Sequence, residues 1–78
     1  FNLFPNPNNG IFSIDFTTLM ELQNYTVTVL NLSGKIVFRS SMSQEDIKQF
    51  NLSHLRKGTY ILMISTTQIM LTQKFTKG

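Results

Sequence analysis

The sequence predicts an all-β domain, an antiparallel β-sandwich or barrel of many short strands. Three observations carry that expectation. Apolar residues recur with period two in several runs, clusters of Gly, Asn, Pro and Ser separate those runs at short intervals, and almost nothing repeats at helical spacing.

Taken in order, Phe12, Ile14 and Phe16 alternate with Ser13 and Asp15, and Tyr25, Val27 and Val29 alternate with Thr26 and Thr28. Ile36 and Phe38 then alternate with Val37 and Arg39. Tyr60, Leu62 and Ile64 alternate with Ile61, Met63 and Ser65, so both faces of that strand are apolar. Such a strand belongs in the middle of a sheet or near a covered edge, since one open apolar face invites aggregation. The run from Ile69 to Thr76 reads as a closing strand, with Ile69, Leu71, Gln73 and Phe75 on one side and Met70, Thr72, Lys74 and Thr76 on the other. The best competing helix runs from Ser43 to Phe50, where Ser43 and Asp46 have capping-box spacing. It has space for only about two turns, so a loop or short turn is expected there.

The turn formers have their own logic. In Phe4-Pro5-Asn6-Pro7-Asn8-Asn9-Gly10, Pro5 and Pro7 fix two φ angles, remove two backbone donors and bias Phe4 and Asn6 to extended geometry. Gly10 supplies freedom for positive φ, so the segment acts as a rigid opening to the domain, and residue chemistry alone favours a domain edge over a recognition role. Asn31-Leu32-Ser33-Gly34-Lys35 is expected to be a hairpin with Gly34 in a left-handed conformation, and Gly58 does similar work before Tyr60. The expected state of Tyr60 is a buried ring with its hydroxyl tied to backbone.

Composition bounds the function. The chain has 78 residues, is 41% hydrophobic and contains no Cys or Trp. A chain of this size buries only about 60% of the surface its unfolded form exposes, which argues against a second core or a deep substrate cavity. Its net charge of +3 on only 14% charged residues does not suit a nucleic-acid or membrane-surface protein, and no nucleic-acid partner or small-molecule substrate is expected. Absence of Cys excludes disulfides and thiolate metal sites and leaves the redox compartment undetermined. The longest apolar run, Tyr60 to Ile64, is far short of the roughly 20 residues of a membrane-spanning helix. The start has no initiating Met and no signal-peptide pattern, so residues 1–78 read as one domain excised from a longer protein.

Chemistry-bearing residues are sparse. His54 is the one histidine and falls in a predicted turn, where a solvated imidazole is expected, and Asp15, Glu21, Glu45 and Asp46 are the four carboxylates. No nucleophile elbow, phosphate loop or metalloprotease signature occurs, so neither an enzyme nor a metal or cofactor is expected. The sequons at Asn24, Asn31 and Asn51 are read as chance in a chain rich in Asn, Ser and Thr. Lys74 and Lys77, around Phe75, place a small positive cluster on or just beyond the last strand. By residue chemistry they either protect a strand edge or mark one that a partner pairs with, and the two readings stay open.

Four blocks in order carry a resemblance that spans essentially the whole chain. Phe4 to Phe12, Val27 to Val37, Leu52 to Leu62 and Lys74 to Lys77 resemble the opening, the central hairpin, the Gly-x-Tyr strand and the lysine-bearing end of the type A C-terminal sorting domains of the type IX secretion system, found in Bacteroidota-type bacteria. The chain departs from the family pattern at Arg56 and Lys57, where Pro is common, at the final turn Ser65-Thr66-Thr67-Gln68, which lacks the usual Gly, at Asn51, where Asp is common, and at a terminal Gly78.

That resemblance implies an Ig-like antiparallel β-sandwich of about seven short strands. It also implies a sorting signal at the end of a secreted cargo, held in the periplasm in transit and bound for the cell surface or the extracellular space. The implied partners are the outer-membrane translocon with its shuttle components and a sortase-like cysteine protease cutting upstream, followed by cargo release or attachment to lipopolysaccharide. The residues implied for translocon recognition are Lys74, Phe75 and Lys77, and those for motif and fold geometry are Pro5, Asn6, Pro7, Gly10, Gly34, Lys35, Gly58 and Tyr60. Two copies pairing along an exposed edge strand is a further expected association. The rival function is a small adhesive or carbohydrate-binding sandwich, which would display its Tyr and Phe rings on one exposed flat face. A spacer with no signal is a third reading.

Overall fold

The computed structural model describes residues 1–19, 24–43 and 47–78. Each alternating run forms a strand, because period-two burial places one row of apolar side chains on a common face. The strands are β1 (Asn2–Phe4), β2 (Ile11–Asp15), β3 (Asn24–Asn31), β4 (Ile36–Ser43), β5 (Ile47–Asn51), β6 (Gly58–Ser65) and β7 (Met70–Lys77), with a 3-10 turn at Thr17–Leu19. They make two antiparallel sheets, one ordered β1-β2-β5 and the other β4-β3-β6-β7. The only bridge outside the named strands runs, among the described residues, between Asn8 and Lys77, so the architecture is an open Ig-like sandwich rather than a barrel.

The core fills the space between the sheets. Leu3, Phe12, Ile14 and Phe50 enter from the three-stranded sheet, and Tyr25, Val27, Val29, Tyr60, Leu62, Ile64 and Phe75 from the four-stranded one. Its aromatic centre is a chain of rings, with Phe12 stacked on Phe50 at 5.7 Å, tilted against Phe75 at 5.0 Å, and Phe75 stacked on Tyr60 at 5.8 Å. As expected for a strand apolar on both faces, β6 is internal, hydrogen-bonded between β3 and β7.

One element differs from the expectation. The segment Ser43 to Phe50 is not a loop or a short turn over its described part: Ser43 ends β4 and Ile47–Asn51 is a strand paired with β2. Its pattern is hidden because β5 is an edge strand on which Phe50 alone is buried, with Lys48 in register beside Ile14 and Ile47 exposed. Asp46 of the capping-box reading lies outside the described residues, as do the carboxylates Glu21 and Glu45. At the start, Asn2–Phe4 is a short strand, and Leu3 reaches the core opposite Ile14.

Candidate recognition site at the joined chain ends

The opening segment and the closing strand are almost the whole sequence apart, yet they form one structure. The Thr76 N–H donates to Asn6 Oδ1 at 3.0 Å, Asn6 Nδ2 reaches the Lys74 carbonyl at 3.5 Å, and the Asn8 N–H donates to the Thr76 carbonyl at 3.0 Å. The Gly78 N–H closes the set, donating to the Asn8 carbonyl at 2.7 Å. Thr76 points these groups away from β6, so the opening segment covers the free edge of β7 where a terminal strand would otherwise present unpaired donors and acceptors.

The segment holds that shape through its own polar side chains. Asn8 Oδ1 accepts the Gly10 N–H at 2.8 Å, Asn8 Nδ2 donates to the Pro5 carbonyl at 3.0 Å, and Asn9 Oδ1 accepts the Ile11 N–H at 3.0 Å. Pro5 and Pro7 carry no backbone N–H and so leave no donor to satisfy there. Gly10 is required twice over. Its φ is +98°, and a Cβ at this position would lie 2.6 Å from Lys77 Cε, 2.7 Å from Ser53 Cα and 2.8 Å from the Leu52 carbonyl oxygen.

The residues of the lysine-bearing end do not share one surface. Lys74 alternates with Thr72 and Thr76 on the outer face of the sheet and is exposed. Phe75 and Lys77 turn inward, Phe75 to 2% exposure in the aromatic chain and Lys77 to 8% with its stem over Gly10. Of the three, Lys74 alone offers its whole side chain to a partner.

The hairpin and Tyr60 residues have structural partners of their own. Gly34 has φ +87° in a turn closed by its own N–H, which donates to the Asn31 carbonyl at 3.0 Å, while Asn31 Oδ1 accepts from the Ser33 N–H at 3.0 Å and the Lys35 N–H at 2.9 Å and the Lys35 side chain is exposed. Tyr60 is buried and its hydroxyl donates to the Arg56 carbonyl at 2.7 Å, the tie to upstream backbone known as a tyrosine corner in Ig-like sandwiches. Gly58, with φ +154°, starts β6 just before it. His54 is exposed in its turn.

The residue that sequence reasoning passed over is Asn8, which was not singled out although it makes more of these hydrogen bonds than Asn6. A signal existed, since Asn two residues before Gly is the pattern of an Asx turn. The rings do not form a sugar-stacking platform either: Phe12, Phe16, Tyr25, Phe50, Tyr60 and Phe75 are buried, and Phe4, at 41%, is the one exposed ring.

Fold and site thus define a class, a small β-sandwich whose last strand is tied to a proline-asparagine opening. Residues 2–77 match the model of the secretion system C-terminal sorting domain family, and the chain belongs to that family, the C-terminal sorting domains of type IX secretion. No curated protein matches the chain. Membership makes it a C-terminal sorting signal that works with the type IX machinery and implies export to the cell surface or the extracellular space, in a family of signals rather than enzymes.

Proposed function

We infer that residues 1–78 are a single sorting domain, carried at the end of a larger cargo, that the outer-membrane translocon and its shuttle components read in folded form during periplasmic transit. A sortase-like cysteine protease then cuts upstream of the domain, and the cargo is released or attached to lipopolysaccharide. The observation that carries this reading is the joining of the first and last motif blocks by Asn6 and Asn8, which gives the signal its shape only after folding. Lys74 is the contact to the machinery, while Phe75 and Lys77 fix the strand end that presents it. Pro5, Asn6, Pro7 and Gly10 shape the neighbouring surface, and Gly34, Lys35, Gly58 and Tyr60 maintain the sandwich.

The test is export of a passive reporter fused upstream of residues 1–78, compared between a type IX competent host and its translocon-deficient mutant. Reporter outside the cell only in the competent host supports the reading. Retention in both strains, with the domain shown to be folded, overturns it.

A further inference from the structure

The outer face of the four-stranded sheet carries an aliphatic patch among Thr and Ser side chains, with a cation at each side. Register places Ile36, Leu30, Ile61 and Lys74 in one row across β4, β3, β6 and β7, and Arg39, Thr28, Met63 and Thr72 in the next. Leu30, Ile61 and Met63 are half-buried and Ile36 is 48% exposed, while Met70 one row further on is 65% exposed. Thr28 is only 2% exposed, which on an open face requires that its longer neighbours lie over it. Three strand spacings separate the Arg39 edge from the Lys74 edge, about 14 Å.

Charge selects the occupant. The four strands of this sheet contain no Asp or Glu, while Arg39 and Lys74 are exposed on its outer face. Asp15 lies on β2 in the other sheet. A second copy of the face would set these cations against like charges, which disfavours self-association. Two cations beside aliphatic side chains also make a poor track for a phosphate backbone.

We propose that this face is a docking surface for a partner protein that presents an apolar patch ringed by carboxylates. The aliphatic centre supplies contact area, and Arg39 and Lys74 set orientation and reject basic surfaces. The inference goes beyond the sorting reading in surface and partner chemistry, sharing only Lys74 with it, and its test needs no translocon, so either idea can fail alone.

The probe is an amphipathic helical peptide of about 18 residues, long enough to hold helix, with a leucine face flanked by glutamates, titrated into the methyl-labelled 78-residue chain and followed by NMR. A matched peptide with lysine for glutamate and anionic phospholipid vesicles are run in parallel. The expected result is saturable binding of the acidic peptide alone, with shifts at Leu30, Ile36, Ile61 and Met63 and none at Leu3 or Ile14. In the Arg39→Glu, Lys74→Glu double variant, whose two sites are exposed and whose folding the spectrum itself reports, affinity for the acidic peptide falls at least about tenfold and the basic peptide is taken up instead. No saturable binding, equal binding of the basic peptide, shifts on the other sheet, or preference for vesicles overturns the proposal.

Discussion

Replacing Gly10 with alanine tests how closely the opening segment packs against the turn that follows β5. The new Cβ meets two backbone atoms, Ser53 Cα at 2.7 Å and the Leu52 carbonyl oxygen at 2.8 Å, and neither yields as a side-chain tip would. The same carbonyl region is fixed by the Leu52 N–H, which donates to the Gly10 carbonyl at 2.7 Å. Positive φ in an L-residue costs about 1–2 kcal/mol. Forcing a methyl into filled space adds about 1–3 kcal/mol, for a total of about 2–5 kcal/mol. Against a stability of about 4–12 kcal/mol for a domain of this length, that is a large share. At about 4–8 °C per kcal/mol, Gly10→Ala is expected to lower Tm by at least about 8 °C in a circular-dichroism melt. Gly34→Ala is the internal control, because a Cβ there meets nothing within 4 Å and bears only the φ cost, about 1–2 kcal/mol. A Gly10→Ala melt within a few degrees of wild type, or a loss no larger than that of Gly34→Ala, would refute the packing argument.

Other perturbations separate roles that neighbour each other in sequence. Lys74→Ala is expected to leave Tm within experimental spread, whereas Lys77→Ala, which strips a buried stem from over Gly10, lowers stability by about 1–2 kcal/mol in chemical denaturation. Tyr60→Phe leaves the Arg56 carbonyl without its donor and is expected to cost about 1–2 kcal/mol by the same measurement. The Asp15 carboxyl is held below its ordinary pKa first by the Thr17 hydroxyl, at 2.6 Å, and then by the Thr17 N–H, at 2.9 Å. A depressed folded-state value gives stability that is present above the unfolded pKa of about 3.9 and lost as pH falls through the folded one. Melts of Asp15→Asn between pH 7 and pH 2 should therefore show a flatter acid limb than wild type.

The strands with a buried face were legible because alternation is the direct trace of that burial, as in Phe12, Ile14 and Phe16 or in Tyr60, Leu62 and Ile64. Edge strands leave a weaker trace. β5 buries Phe50 alone and β1 buries Leu3 alone, so neither carries a period. Turn chemistry revealed the left-handed Gly34 and the tied hydroxyl of Tyr60, both of which depend on local geometry. What local pattern could not contain was the meeting of Asn6 and Asn8 with Thr76, a pairing set by topology, and with it the fate of the two lysines. Lys74 and Lys77 are three apart on one strand, so they fall on opposite faces, and only the packing shows that the inward one rests over Gly10.

The central claim is that the machinery reads a folded domain through the exposed lysine of its last strand. The most direct measurement is reporter export in a type IX competent host for wild type, Tyr60→Phe and Lys74→Ala, each with its folded fraction determined on the purified domain. The account predicts that export of Tyr60→Phe follows its folded fraction, while Lys74→Ala, fully folded, stays in the cell. Export of Lys74→Ala at the wild-type level would contradict it.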